Sequence, residues 1–427
     1  MKITYLTHAC MMIEVGNTKI ITDPWLVGPS WGGSLWHYPT HKFTPSNLPV
    51  PDIIFFSHGH DDHFHEETIK KFPKEWFNAK IIAPKYNVSW WEGELQKKFK
   101  KTFFLNHNES IFLDDGIELQ AFINDLKEFD CSLKIKSKNR CIFLQTDNLM
   151  SEREAKRIAK IDPIDVAFVI PFLTGVFPGF YKWDSDTLIE LANEKISRSL
   201  NYCSKIVKSL NPKYVVPYAC DVGYLGEKFH INLIHRHNKE DLIKMLKIKK
   251  IKSKPLILNP GDSIKLLKTI KIDIKNKTSL SKDESLIKFA NEKFEEYQKY
   301  KINENKLTEP KIDKLSKIFI ENLSRNLKKV KRFSFKTLIN IKEEDIKKYI
   351  LLNFKNRTVK EVKLASKDED LKIEIESIKI RNLLSQKYPM NFMTFHNGGY
   401  TCERKVMNLS VNEKKYWSWI NNLDFFI

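Results

Sequence analysis

Four histidines fall within eight positions of one short segment, in a chain that holds only 12 histidines among 427 residues. Three of them, His58, His60 and His63, combine with Asp62 in the pattern H-x-H-x-D-H, directly after the apolar run "DIIFF". Alternate residues of an extended chain share a face, so His58 and His60 can bind one cation. Asp62 and His63 follow a turn and are expected at a second cation position nearby. The segment predicts one or two divalent metal ions.

Imidazole and carboxylate ligands suit zinc, iron(II) and manganese, and zinc is the first expectation. Two cations would lower the pKa of a shared water and supply hydroxide as nucleophile, while Asp62 or Asp61 handles the proton. The predicted chemistry is metal-assisted hydrolysis of an ester, lactone, amide or phosphodiester bond. The expected substrate is an anionic small molecule.

The elements around the histidines are those of a mixed α/β protein. "KITYLTHACMMIEV" and "GNTKIITDPW" predict an opening hairpin with its turn at Gly16 and Asn17. A long aromatic loop follows, and the histidines then lie between a strand over 52–56 and a helix that starts in "HFHEETIKKF". Short strands fill the segment from "KKTFFL" to "RCIFLQTD". From residue 151, helices alternate with the strands "VAFVIPF" and "KYVVPYA", which predicts helices layered on a sheet.

The composition changes near residue 268, where a charged, lysine-rich segment over 270–350 begins that we expect to be helical. The alternating strand "LKIEIES", a short helix and "FMTFHNGGYTCERKV" follow. We therefore predict two domains, a catalytic domain over 1–268 and a small α/β accessory domain over 269–427. The accessory domain could pair subunits into a homo-oligomer or cover the site, and His396 within it is expected to be structural.

The first 265 residues resemble the metallo-β-lactamase superfamily. The features that carry this resemblance are the opening hairpin, "TDPW", the pattern H-x-H-x-D-H and a β-rich segment that ends in "LQTD". "YLTHACMMIEV" and "VVPYACDVGYLGEKFHIN" are most similar to the branch that includes ascorbate-6-phosphate lactonase-like proteins and the non-Rieske portion of CMP-N-acetylneuraminate hydroxylase. The resemblance implies a four-layer αββα sandwich of the α+β class, with the metals at one edge of the two sheets.

The resemblance also implies site residues. The first-motif ligands match His58, His60, Asp62 and His63, and the aspartate that bridges two metals in the family matches Asp147 in "FLQTDNLM". A shared carboxylate balances the charge of two cations and fixes their spacing. The alternative for Asp147 is a cap on the helix that starts near residue 151.

Two histidines of the family pattern are missing from their expected places. In "NDLKEFDCSL", Asp130 or Asp125 takes the place of the third-motif histidine, and His107 is a weaker alternative. After "KYVVPYA" the fifth-motif ligand is assigned to His230, with the other choices being Asp221, His235 and His237.

The opening hairpin and the aromatic loop supply the remaining predicted site residues. The resemblance implies that His8 and Asp23 of the opening hairpin line the site or orient ligand rings, with a turn-stabilising role as the alternative. Trp25 and Trp36 are predicted either to pack against the sheet or to form a wall over the substrate.

Other functions are weaker expectations. A carboxylate-rich site favours iron, so the second hypothesis is an iron-dependent oxygenase or sugar-nucleotide-modifying enzyme. Because the sequence lacks a C-x-H…C-x-x-H Rieske pattern, its electron donor would be a separate protein. The third is a nucleic-acid-processing protein, which the net charge of +19 allows, but the lysines are spread through the chain and nucleic acid is not the expected partner. The six scattered cysteines and the lack of an apolar span predict a cytoplasmic protein with free thiols and no membrane contact.

Overall fold

A computed structural model describes residues 1–87, 89–124, 130–172, 178–235, 238–275, 282–303, 308–364, 368–385, 400–404 and 415. Asp125, His237 and His396, which the sequence singled out, lie outside these residues.

Most strands belong to the N-terminal part of the chain. They are β1 (Lys2–Thr7), β2 (Cys10–Val15), β3 (Thr18–Thr22), β4 (Trp36–His37), β5 (Ile53–Phe55), β6 (Lys80–Pro84), β7 (Thr102–Leu105), β8 (Ser110–Leu113), β9 (Ile117–Ile123), β10 (Cys131–Ser137), β11 (Arg140–Leu144), β12 (Val166–Val169), β13 (Tyr214–Pro217), β14 (Val222–Gly223), β15 (Lys254–Pro255), β16 (Ser263–Leu266) and β17 (Ile270–Asp273). The helices of this part are α1 (Glu66–Lys70), α2 (Ser89–Lys98), α3 (Glu152–Ile161), α4 (Ser185–Leu210), α5 (His230–Ile234) and α6 (Lys239–Ile248).

These strands form two large sheets. The first has the order β17-β16-β1-β2-β3-β5-β6-β7 and the second the order β15-β13-β12-β11-β10-β9-β8, while β4 and β14 form a separate pair. The strands β3, β5, β6 and β7 run parallel to one another, as do β11, β12, β13 and β15. The first sheet includes β17, so strand pairing continues just beyond the predicted boundary at residue 268.

The period of two along each strand decides which layer a residue joins. In β12, Phe168 faces the core between the two sheets, whereas Ala167 and Val169 face the helices α3, α4 and α6. On the first sheet, Trp91 of α2 and Phe64 belong to the same continuous core. The helices therefore cover the outer faces of two packed sheets, and the predicted αββα sandwich is confirmed.

One local prediction was wrong at the start of the chain. "KITYLTHACMMIEV" is two strands, because residues 8 and 9 form a turn and His8 adopts a left-handed backbone conformation with φ of 43°. The apolar pattern continues through this turn, so it carried no sign of the chain reversal. The opening unit is the three-stranded meander β1-β2-β3.

The C-terminal part contains helices α7 (Lys282–Asn303), α8 (Glu309–Lys328) and α9 (Ser377–Ser385), and strands β18 (Lys336–Glu343), β19 (Ile346–Asn353), β20 (Thr358–Val362), β21 (Leu371–Glu376) and β22 (Tyr400–Arg404). The strands pair in the order β20-β19-β18-β21-β22. The prediction of helix to residue 350 was wrong, because Lys336–Glu343 and Ile346–Asn353 form paired strands whose Ile339, Ile341, Ile350 and Leu352 are buried in one cluster with residues of α8. The strand and short helix predicted over "LKIEIES" and beyond are confirmed by β21 and α9.

The C-terminal core is continuous with the aromatic loop of the N-terminal part. Trp25, Trp31 and Leu35 pack in one cluster with residues of α8, β18 and β21. On the other side of the loop, Trp36 contacts the rings of Tyr297 and Tyr300 of α7. The position of this loop therefore depends on both parts of the chain.

Among the described helices, none combines the length and apolar character that a membrane crossing requires.

Candidate metal centre

The predicted ligands converge because several strands end at one edge of the sandwich. The strands β1, β3 and β5 of the first sheet point the same way, and His8, Asp23 and His58 follow their carboxyl ends. In the second sheet, Asp147 follows the end of β11 and Asp130 precedes the antiparallel strand β10. Residues far apart in sequence therefore meet between the two sheets.

The first candidate ligand group consists of His58, His60 and Asp130. Their ligand atoms all lie within 4.8 Å of one another. The Nε2 atom of His58 is 3.4 Å from Oδ1 of Asp130, and the ring centroids of His58 and His60 are 4.3 Å apart. Asp130 thus occupies the place for which the sequence left a choice between Asp130, Asp125 and His107.

The second candidate group consists of His8, Asp62 and His63, which also meet within 4.8 Å. Oδ2 of Asp62 lies 3.2 Å from Nε2 of His8 and 4.0 Å from Nε2 of His63. Like the first group, it contains two imidazoles and one carboxylate. His8 thereby presents a ligand atom of its own, beyond the lining or orienting role predicted from the sequence.

Asp147 lies between the two groups. Its Oδ1 atom is 3.4 Å from Nε2 of His63, and it forms a third group with His58 and His63. The helix α3 is capped instead by Ser151, whose hydroxyl accepts a hydrogen bond from the amide of Glu154. The capping alternative for Asp147 is therefore wrong, and a carboxylate between two histidine-bearing positions is what two adjacent cations would share.

The chemistry of the buried atoms fits a divalent metal. Within the described part of the chain, Nε2 of His58, Nε2 of His63 and Oδ1 of Asp147 are buried without a hydrogen-bond partner. Buried polar atoms are normally satisfied, since leaving one unpaired costs about 1–3 kcal/mol. Imidazole nitrogen and carboxylate oxygen that face one another without partners are a natural ligand set for zinc, iron or manganese.

Asp23 and Ser57 orient the two deepest rings. Oδ1 of Asp23 accepts from the amide of Ser57 at 2.7 Å, and Oδ2 accepts from the Ser57 hydroxyl at 2.6 Å. Nδ1 of His63 lies 2.9 Å from the same Oδ2, and Nδ1 of His58 lies 2.9 Å from the Ser57 hydroxyl. With its Nδ1 proton donated to Asp23, His63 turns the lone pair of Nε2 toward the site.

The charges in the site perturb the pKa values in the directions expected of a cation site. Burial and the neighbouring imidazole of His63 lower the pKa of His58, and burial lowers that of His60. Burial opposes protonation of His63, but the carboxylates of Asp147 and Asp62 outweigh it and raise its pKa. Burial likewise opposes ionisation of Asp62, yet His63 and His8 hold its pKa well below the usual value. The carboxylates thus favour positive charge where metals would bind.

The carboxyl group of Asp61 differs from that of Asp62 in its environment. Burial raises the pKa of Asp61, although its Oδ2 atom accepts a hydrogen bond of 2.5 Å from the amide of Trp31. Asp62 accepts one of 2.8 Å from the indole of Trp31. The Trp31 side chain was not predicted as a site residue, and only its membership of the aromatic loop marked it in the sequence.

Several residues around the site adopt left-handed backbone conformations. The φ angles are 43° at His8, 37° at Asp23, 53° at Trp31 and 56° at Thr146. Such conformations cost residues other than glycine roughly 1–2 kcal/mol, and they cluster at functional sites. These four are among twelve non-glycine residues with positive φ in the described chain, and each of the four contacts the site or neighbours a residue that does.

Trp25 and Trp36 are packing residues in this structure. Each is about 1% exposed, and each indole N–H donates to a carbonyl of its own loop, that of Gly28 or of Gly33. The ring of Trp25 also contacts that of His37, with 3.8 Å between the centroids and 33° between the ring planes. These contacts match the packing alternative, and a wall facing the substrate remains a prediction.

Two other sequence candidates lie outside the ligand groups. His230 is exposed, and its ring nitrogens lie 2.9 Å and 3.4 Å from the carbonyls of Glu227 and Gly179. His107 lies near the carbonyl of Ile123 and the carboxylate of Glu154. The structure does not support the assignment of His230, because α5 directs it toward the surface rather than toward the sheet edge.

Comparison with known proteins agrees with this geometry. Residues 2–171 match the family model described as "Beta-lactamase superfamily domain". This match covers less than half of the chain, and it supports the resemblance of this part to the metallo-β-lactamase superfamily. The αββα sandwich is consistent with this match, and the His and Asp groups at its edge are able to bind metal.

The curated relatives include cytidine monophosphate-N-acetylneuraminic acid hydroxylase of Xenopus laevis, which is 26% identical over 238 residues. That match covers 53% of this chain and 39% of the relative, so it spans about two fifths of the relative's length. Among solved structures, the chain is similar to CmlA, a diiron β-hydroxylase from Streptomyces venezuelae, with 17% identity and a TM-score of 0.44 over 62% of this chain and 54% of that one. It is also similar to the isothiocyanate hydrolase from Delia radicum gut bacteria, with 13% identity and a TM-score of 0.43 over 62% of this chain and 99% of that one.

Proposed function

We propose that this protein is a metal-dependent hydrolase that attacks an ester, lactone, amide or phosphodiester bond of an anionic small molecule with water. The observation that supports it is the pairing of two ligand groups, each with two histidines and one aspartate, around Asp147. Divalent cations held there would lower the pKa of a bound water toward neutrality and stabilise negative charge that develops on the substrate. Zinc is the first expectation, with iron and manganese as alternatives.

Other residues of the site would orient the ligand rings and accept a proton. Ser57 and Asp23 hold the rings of His58 and His63 in one orientation, so that the ligand atoms need no rearrangement. Asp62 belongs to the second ligand group, where its Oδ2 lies 3.2 Å from Nε2 of His8, and its Oδ1 accepts a hydrogen bond from the indole of Trp31. Asp61 is therefore the better of the two predicted carboxylates for receiving a proton, since it need not leave a ligand group.

A second candidate, an iron-dependent oxygenase, is favoured by the composition of each ligand group. Two histidines and one carboxylate with open positions are the ligand set of non-haem iron(II) oxygenases. Asp130 creates this set in the first group, where the family pattern led us to expect a histidine. The hydroxylase names of the curated relatives point the same way.

Metal analysis of the purified full chain separates the two candidates. The hydrolase proposal expects about two equivalents of zinc or manganese and oxygen-independent cleavage of a panel of lactones, esters, amides and phosphodiesters. Stoichiometric iron with oxygen consumption, supported by an external electron donor, favours the oxygenase.

Variants connect the metal to the predicted ligands. His60→Ala and Asp147→Ala should each lower the metal content and abolish turnover. His107→Ala removes an imidazole outside the ligand groups and should retain both. Unchanged metal content in His60→Ala and Asp147→Ala would overturn the assignment of the site.

A further inference from the structure

We propose that His8 is itself a metal ligand, and that it completes the second cation position in place of a residue after β13. This inference rests on the proposed function, because it concerns the same cations. Its starting point is the environment of the His8 ring, which is 1% exposed and has no hydrogen-bond partner at Nδ1 or Nε2 within the described residues. A buried imidazole in that state is expected to have a ligand.

The position of the His8 ring identifies that ligand as a cation shared with Asp62 and His63. Nε2 of His8 approaches Oδ2 of Asp62 to 3.2 Å without hydrogen-bond geometry, and the rings of His8 and His63 are 5.5 Å apart at 70°. Two imidazole nitrogens and one carboxylate oxygen thus lie within 4.8 Å of one another. A catalytic metal commonly has three protein ligands of these types.

Asp221, one of the candidate ligands in the chain after β13, has other partners. Asp221 is 3% exposed, and its Oδ1 atom lies 2.6 Å from Nζ of Lys239. Its other oxygen accepts a hydrogen bond from the hydroxyl of Tyr5. A buried carboxylate that is paired with a lysine and hydrogen-bonded has its charge balanced, so it is held away from a ligand role.

The same network fixes the backbone of His8. The hydroxyl of Tyr5 lies 3.0 Å from the carbonyl oxygen of His8, and the amide of Ala219 donates to that oxygen at 3.1 Å. These contacts hold His8 in its left-handed conformation, with φ of 43°. The chain beyond β13 therefore positions a ligand from the first sheet, where the family pattern led us to expect a ligand of its own.

The test is the metal stoichiometry of His8→Asn in the full chain. Asparagine tolerates the left-handed conformation better than most residues, so the variant removes the imidazole with little added backbone strain. After dialysis against excess cobalt(II) and removal of weakly bound metal, we expect two equivalents per chain in the wild type and one in His8→Asn. The cobalt absorption spectrum should lose one of two components, whereas His107→Asn should match the wild type.

A second variant guards against misfolding. Lys239→Met removes the partner of Asp221 and leaves every ligand group intact. This variant should bind cobalt more weakly at the second site without losing the site. Both His8→Asn and Lys239→Met should keep the circular dichroism spectrum of the wild type. Two equivalents of equal affinity in wild type and His8→Asn overturn the role of His8 while leaving the proposed function in place. A single equivalent in both proteins also overturns it. A wild type without cobalt overturns the proposed function itself.

Discussion

Asp23 orients a ligand ring without belonging to a ligand group, and its replacement gives the sharpest test of the site. The carboxylate is 1% exposed and accepts three hydrogen bonds, two from Ser57 and one from Nδ1 of His63, at 2.7, 2.6 and 2.9 Å. In Asp23→Asn the side chain keeps its size, but its amino group must face one of these donors. If it faces His63, the imidazole must accept at Nδ1 and carry its proton on Nε2, where it can no longer bind a cation.

The magnitude follows from the contacts that are lost. Hydrogen bonds to a charged group contribute about 1.5–3 kcal/mol each, so Asp23→Asn should lower the free energy of unfolding by an amount of that order. Residues that orient a metal-binding histidine typically change metal affinity by about 10–100-fold. We therefore expect both a lower urea midpoint for the metal-free protein and a metal dissociation constant raised by that factor.

Asp165 supplies the matched control. It is also 1% exposed, and it pairs with Arg140 at 3.2 Å and Lys213 at 2.7 Å. Because it precedes β12, it lies at the opposite end of the strands from the metal centre. Asp165→Asn should lower stability and leave metal affinity unchanged. Competition with a chromophoric chelator measures the affinity, and an Asp23→Asn value within about twofold of the wild type would refute the orienting role.

Three further predictions concern the loop, the pH dependence and the choice of metal. Gly33→Ala should lower the free energy of unfolding by about 1–3 kcal/mol more than Gly28→Ala does. Both glycines have positive φ, but a Cβ atom would overlap the ring of Tyr300 only at Gly33. Equal urea midpoints of the two variants would contradict this prediction. Burial lowers the pKa of His41 to about 4, so below about pH 6.5 the unfolded chain binds a proton at this residue that the folded chain does not bind. The free energy of unfolding should therefore fall by up to about 3 kcal/mol between about pH 6.5 and 4. Urea unfolding at several pH values should show a smaller fall in His41→Gln than in the wild type. Asp130→His replaces a carboxylate with an imidazole and should lower the ratio of iron to zinc retained when both metals compete; an unchanged ratio would argue against Asp130 as a ligand.

The sequence alone determined those features that depend on near neighbours along the chain. The spacing of His58, His60, Asp62 and His63 brings their side chains together within one strand end and one turn. Short apolar runs indicated strands of the two sheets, and the predicted alternation of helices with "VAFVIPF" and "KYVVPYA" matches α4 between β12 and β13. These signals are local, because strand and helix geometry repeat every few residues.

Tertiary structure alone decided which distant residues join this segment. His8 and Trp31 lie before it in the sequence and Asp130 after it, and they reach it because strands of two sheets end at one edge and a loop folds over them. The order of strands in a sheet does not appear in the pattern of any single strand. For the same reason the sequence could not exclude His230, since only the direction of α5 shows that this histidine faces away from the site.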